Sequence, residues 1–148
     1  MKIAIGNDHA AGALKPVIME LLTEMGCEIV NCGPDGTEPI DYPIPAEKVG
    51  RMVADHEVDY GVLICGTGIG ISMAANKVNG VRAAVCSEPT SARLTREHNN
   101  ANILAIGARI VSDELAKDIV RTFLTTEYSN GERHERRLAL LHEIEKRQ

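Results

Sequence analysis

The chain is predicted to fold as an α/β domain around a parallel sheet, and three observations carry that prediction. Short apolar runs alternate with stretches of helical period. The runs are apolar at consecutive positions, as in strands covered on both faces. Polar or glycine-rich residues follow the carboxyl end of the runs, where open parallel sheets bind ligands. At 148 residues the chain suffices for one such domain, and no linker, repeat or low-complexity tract divides residues 1–148.

The elements follow in order. Ile3-Ala4-Ile5 is the first strand. Leu14, Val17, Ile18, Leu21, Leu22 and Met25 recur at helical spacing, and Gly26 supplies a C-cap. Glu28 to Cys32 is the second strand, Gly33 to Pro45 a loop rich in Gly and Pro, and Ala46 to Ala54 a helix. Tyr60 to Ile64 is the third strand. It runs into Cys65-Gly66-Thr67-Gly68-Ile69-Gly70, and a helix from Ile71 to Val78 leads out. Val81 to Cys86 is the fourth strand. Thr90 to Glu97 is a helix that the polar run His98-Asn99-Asn100-Ala101-Asn102 ends, and Ile103 to Ile106 is the fifth strand. Glu114 to Thr126 places Leu115, Ile119, Val120 and Phe123 on one helix face. Asn130-Gly131 marks a turn before a last helix from about residue 132 to 146, with Leu138, Leu141 and Ile144 as its apolar stripe. The sum is a three-layer, Rossmann-like α/β/α domain with a five-stranded parallel sheet.

Composition narrows the function. Aromatics are 3% of residues with no Trp, which leaves little surface on which bases could stack, and the net charge of −5 argues against nucleic acid as a partner. No apolar run reaches membrane-spanning length, so no membrane partner is expected. The start, Met1 to Gly6, turns polar at once, so no secretory leader is expected and the four cysteines read as reduced thiols of a cytoplasmic protein. Cys27 and Cys32 bracket one strand and point to opposite faces, so they cannot share a metal.

The glycine loop is the strongest local signal. A strand, three alternate glycines and a helix start collect backbone N–H groups at one point, which suits an anion. The spacing matches neither the dinucleotide fingerprint nor the P-loop, and Ile71 stands where a cysteine–arginine phosphatase loop needs arginine. A thiol at the mouth suggests chemistry beside the anion; a tight turn with a structural cysteine is the alternative. A free thiol ionises near pH 8.5, and a helix-end field of about 0.3–1 kcal/mol falls short of the roughly 1.4 kcal/mol that one pKa step costs. Either a further hydrogen-bonding or positive group assists a thiolate base at neutral pH, or only a minority thiolate works there.

The other candidates gather at strand ends and in the last helix. Asp8-His9 follows the first strand and suits proton transfer or anion holding, with Asp8 as a simple helix cap the alternative. Ser87 and Glu88 follow the fourth strand and Arg109 the fifth. His98 lies at a helix end, where the dipole favours a cation; a surface histidine is the alternative. Arg133 and Arg137 share one face of the last helix, at the end the dipole disfavours for cations, which suggests phosphate; a solvated face is the alternative. Tyr42, in Asp41-Tyr42-Pro43, either meets a ligand or packs in a turn.

Taken together the chain resembles the type B ribose-5-phosphate isomerases and the related galactose-6-phosphate isomerases. The matching pieces are Gly6-Asn7-Asp8-His9, Leu14-Lys15, Asp41-Tyr42-Pro43, Ile64 to Ser72, Ala74 to Lys77, Arg82 to Pro89, Arg96 to Asn99, Gly107-Ala108-Arg109 and Arg133-His134-x-x-Arg137. The resemblance implies a cofactor-free, metal-free aldose–ketose isomerase working through an enediolate. It implies Cys65 as base, Gly66, Gly68, Ile69 and Gly70 as the anion hole, and Thr67 assisting proton transfer at the oxygens. His98, with Asp8 nearby, would open the furanose ring. His9, Arg133 and Arg137 would hold the phosphate with Arg109 as helper, and Tyr42 and Asn99 would line the sugar. It also implies a homodimer or tetramer with shared active sites, the last helix reaching the site or the partner subunit. Two departures stand out: Ala10-Ala11 precede Gly12 where relatives carry an earlier glycine, and no acid lies between Gly66 and Ala75, which leaves Cys65 as the loop's only base. The substrate implied is ribose 5-phosphate. A hexose 6-phosphate of allose or galactose type is the alternative, and a non-catalytic sugar-phosphate binder a further one.

Overall fold

A computed structural model describes residues 1–148. The strands are β1 (Lys2–Asn7), β2 (Glu28–Asn31), β3 (Tyr60–Cys65), β4 (Ala83–Val85) and β5 (Ile103–Gly107). The helices are α1 (Leu14–Glu24), α2 (Pro43–Ala54), α3 (Ile69–Ala75), α4 (Pro89–Asn99), α5 (Asp113–Thr125) and α6 (Glu132–Lys146). All strand pairs are parallel, in the order β2-β1-β3-β5-β4. The chain leaves β1 in one direction and returns to its other side for β3. Their carboxyl ends flank the switch point, where such sheets open a crevice.

Side-chain alternation sorts the core into two layers. Ile3, Ile5, Val62, Ile64, Leu104 and Ile106 face α1, α4 and α5, meeting Ile18, Leu22, Ala92, Ile119 and Phe123. Ala4, Leu63, Cys65, Ile103 and Ala105 face α2 and α3, meeting Ala46, Val49, Ile71 and Ala75. In the second layer two strand glycines make room for Val49 of α2. A Cβ on Gly6 would stand 2.8 Å from Val49 Cγ2, and one on Gly61 2.6 Å from Val49 Cγ1. Valine has little rotamer freedom to give way. Gly61→Ala is therefore expected to destabilise the fold by about 1–3 kcal/mol, read as a lower urea midpoint at unchanged slope.

The predicted elements all form, with boundary differences that have physical causes. α2 begins at Pro43, not Ala46, because both prolines fall in the first turn, where N–H groups have no helical acceptor anyway. α3 begins at Ile69, inside the glycine loop, because Gly68 takes a left-handed φ of 78° and releases the chain into helix two residues early. β4 spans only Ala83–Val85; Arg82 N–H donates instead to the side chain of Asn102, at 2.8 Å. On α6 only Leu138 of the expected stripe is buried, while Leu141 and Ile144 stay about half exposed beside β4. Cys27 and Cys32 pack against opposite sheet faces, as their spacing requires. No helix is long and apolar enough to cross a membrane.

Candidate active site

The carboxyl ends of β1 and β3 open into a cavity of about 400 Å³ lined by Asp8, His9, Ala10, Tyr42, Cys65, Gly66, Thr67, Ile69, Gly70 and Arg109. Each wall has a local cause. Asp8 leaves β1 with its N–H bonded to Ile64 O, and its Oδ1 accepts from Ala10 N–H at 2.9 Å. It thus caps the short 3-10 turn His9–Ala11 while lining the cavity, so the cap and site readings hold together. The turn closes on Gly12 at φ 46°, the glycine this chain carries after Ala10-Ala11. His9 Nδ1 accepts from Ile40 N–H at 3.4 Å, which leaves Nε2 as the nitrogen it can present as a donor.

Cys65 is the last residue of β3 and 5% exposed. Its Sγ accepts a hydrogen bond from Gly68 N–H at 3.1 Å. The sulfur therefore has a backbone donor aimed at it inside the loop. That bond exists because Gly68 adopts a conformation other residues resist. The other thiols are placed differently. Burial pushes Cys86 up to about 11, assisted by Glu88, and burial also raises Cys27 and Cys32. All three stay protonated thiols near neutrality.

The N–H groups of Gly66, Thr67, Gly70 and Ile71 find no backbone acceptor, so the loop offers donors around one point. Thr67 Oγ1 accepts from Ile69 N–H at 3.2 Å, leaving its own O–H to donate. Ala108 N–H and Arg109 N–H donate to Cys65 O and Gly66 O, both at 2.9 Å, which stitches the loop after β5 to the glycine loop. Arg109 lies against Gly66, where a Cβ would stand 3.2 Å from its Nη1. Tyr42 lies over Gly70, where a Cβ would be 2.9 Å from the ring. Both glycines therefore admit the side chains that wall the cavity. Gly68 lies beneath the loop and acts through its N–H. No cluster of three or more metal-ligating side chains forms in the chain.

Four expected residues lie elsewhere. His98, Asn99, Arg133 and Arg137 do not line the Cys65 cavity, and His98 is not beside Asp8. The reason is topological. α4 returns antiparallel to the strands and carries His98 and Asn99 to the amino end of the sheet. β5 alone, with five residues at about 3.3 Å each, separates the two ends by roughly 16 Å. At that far end Arg96, 3% exposed, donates to Thr126 O, Asn100 Oδ1, Ala101 O and Tyr60 Oη, which ties α4 to the start of β3 and the end of α5. α6 begins there too, so His98 stacks on His134, which has Arg133 and Arg137 close by. Asn99 faces a separate groove shared with Leu141 and Ile144 of α6. The candidate residues thus fall into two groups at opposite ends of the sheet. His134 is the member of the second that sequence spacing alone does not single out, although it stands one turn before Leu138 on the same helix face.

A family model described as Ribose/Galactose Isomerase matches residues 3–141. The chain is 51% identical over 146 residues to ribose-5-phosphate isomerase B of Escherichia coli strain K12, covering 99% of this chain and 97% of that protein. Its fold matches the Clostridium thermocellum ribose-5-phosphate isomerase B structure with a TM-score of 0.97 at 50% identity, covering 99% of each chain. It matches the Mycoplasma genitalium ribose-5-phosphate isomerase B, solved with bound ribulose-5-phosphate, with a TM-score of 0.94 at 40% identity, covering 99% of this chain and 97% of that one.

Proposed function

The chain belongs to the ribose/galactose isomerase family, and we propose that its Cys65 cavity interconverts ribose 5-phosphate and ribulose 5-phosphate through an enediolate, with Cys65 as base. It is an aldose–ketose isomerase. The single observation that carries the assignment of the base is the Gly68 N–H bond to Cys65 Sγ inside a loop of unpaired N–H donors.

The steps follow from the donors and acceptors present. The thiolate removes the proton on carbon 2 of the open-chain aldose and returns it to carbon 1. Negative charge develops on the two sugar oxygens between these events. The free N–H groups of Gly66 and Gly70 face that charge, and a single preorganised donor of this kind contributes about 2.7–4 kcal/mol in comparable acyl-transfer sites. Thr67 O–H moves the proton between the oxygens. His9 Nε2 and Arg109 hold the phosphate from this side, and Tyr42 lines the sugar.

Ring opening and the rest of the phosphate clamp fall to the second group. His98 of a neighbouring copy opens the furanose ring with the Asp8 that lines this cavity, Arg133 and Arg137 of that copy bind phosphate, and its Asn99 lines the sugar. Two arguments support a homodimer or tetramer of this kind. A two-fold axis joins opposite ends of two identical chains and forms two complete sites at once. Ile69 of the cavity wall is 49% exposed, and so, further along α3 and just after Arg109, are Met73 at 62% and Ile110 at 59%, apolar side chains that a second copy would cover.

The test is conversion of ribose 5-phosphate by the purified chain, followed as ribulose 5-phosphate, beside allose 6-phosphate and galactose 6-phosphate. Turnover of the pentose above the hexoses is expected. Turnover of a hexose phosphate alone would keep the mechanism and change the substrate. No turnover of any of the three by folded protein would overturn the enzymatic reading.

A further inference from the structure

We propose that His134 is a positioning residue for His98, a role that rests on the reading of His98 as the ring-opening group. The two imidazoles stack with centroids 4.5 Å apart and planes 13° from parallel. His98 is the penultimate residue of α4, and the chain turns left-handed at Asn100, φ 45°. Neither ring nitrogen of His98 has a hydrogen-bond partner within the chain, so both are free for substrate. The same freedom means that no polar contact fixes the ring plane. The stack on His134 does so instead.

His134 is itself held firmly. It is 7% exposed, as is Leu138 one turn further on the same face. Its N–H donates to Gly131 O at 2.9 Å, and a Cβ at Gly131 would stand 3.1 Å from its Cδ2, so the glycine lets the ring sit where it does. Ser129 bonds Glu97 O through both its N–H, at 3.2 Å, and its hydroxyl, at 2.6 Å, which fastens the approach to α6 onto the end of α4. Arg133 Nε–H points at His134 Nε2 at 3.5 Å, the long limit of a hydrogen bond. A lone pair facing a guanidinium places the ring proton on Nδ1. Burial, with His98, Arg133 and Arg137 close by, holds this imidazole below the ordinary histidine range. His134 is therefore a neutral, buried plate against which the more exposed ring is aligned.

The substrate chemistry separates this role from a structural one. Ribose 5-phosphate must open its ring before carbon 2 can lose a proton. Ribulose 5-phosphate cannot close a five-membered ring, because the oxygen that would close it carries the phosphate. Deuterium exchange at its carbon 1 in heavy water therefore reports the Cys65 step without ring opening. Steady-state turnover of ribose 5-phosphate and this exchange would be measured for wild type, His98→Asn, His134→Ala, His134→Gln and His134→Phe.

His134→Ala is expected to lower ribose 5-phosphate turnover roughly 10- to 100-fold, as loss of alignment at a reacting group does, with exchange within about twofold of wild type and KM little changed. His134→Phe, which keeps a ring to stack on, recovers most of the turnover, and His134→Gln, polar but without a ring, does not. If the alanine variant does not fold, the Gln and Phe variants decide by the same contrast. Parallel loss of turnover and exchange, a rise in KM alone, or no loss at all would overturn the proposal. Should His98→Asn fail to separate turnover from exchange, ring opening by His98 falls and this inference with it. If His98→Asn separates them and the His134 variants do not, only the positioning role falls.

Discussion

Cys65→Ala is expected to lower kcat for ribose 5-phosphate by roughly 10²–10⁴-fold while moving KM by less than about threefold. The size follows from what the thiol does and what could replace it. Cys65 Sγ is the only sulfur that lines the cavity, and it is held by Gly68 N–H at 3.1 Å. No carboxylate lies in the loop between Gly66 and Ala75. The one acid in the cavity, Asp8, spends one oxygen on Ala10 N–H at 2.9 Å. The remaining thiols lie outside the cavity, with Cys86 pushed up to about 11. Binding survives because the contacts assigned to phosphate and sugar come from His9, Tyr42, Arg109 and loop N–H groups, none of which the substitution removes. Deuterium exchange at carbon 1 of ribulose 5-phosphate should vanish together with turnover, in contrast to the His98 and His134 variants. A Cys65→Ala protein with near-normal exchange would remove Cys65 as the base, whatever its effect on overall rate.

The layout of the Cys65 cavity is legible in the sequence because it is local. Gly68 marks a left-handed turn of the backbone and Gly70 the close approach of the Tyr42 ring, and Asp8, Cys65 and Arg109 each stand at or just beyond a strand end. Apolar runs such as Val62-Leu63-Ile64 fix the strands, and the parallel layout then gathers those residues at one edge. What the sequence leaves unread depends on length and direction. His98 looks close to the other candidates by type, yet α4 carries it the full depth of the sheet away from Cys65. His134 reads as one more member of a charged first turn, and its burial depends on Ser129 fastening α6 to α4. The start of α3 differs for a similar reason: a left-handed Gly68 is a backbone event that residue counting places only to within a turn.

The second large effect tests that separation directly. His98→Asn alone should slow ribose 5-phosphate turnover by roughly 10²-fold, the lower range for a lost acid–base group. Coexpressed with Cys65→Ala, it should regain activity that neither variant has. In a mixed dimer with shared sites, one site receives both substitutions and is doubly impaired. The other pairs the intact Cys65 of one chain with the intact His98 of its partner. Random assembly makes about half of the dimers mixed, and about half of their sites intact, so the mixture should recover about a quarter of wild-type activity. Differently tagged chains isolated as the mixed species should reach about half. If His98 instead served its own chain's Cys65, every site in every assembly would lack one group and no recovery would appear. The roughly 16 Å depth of the sheet between His98 and Cys65 within a chain is the physical reason to expect recovery.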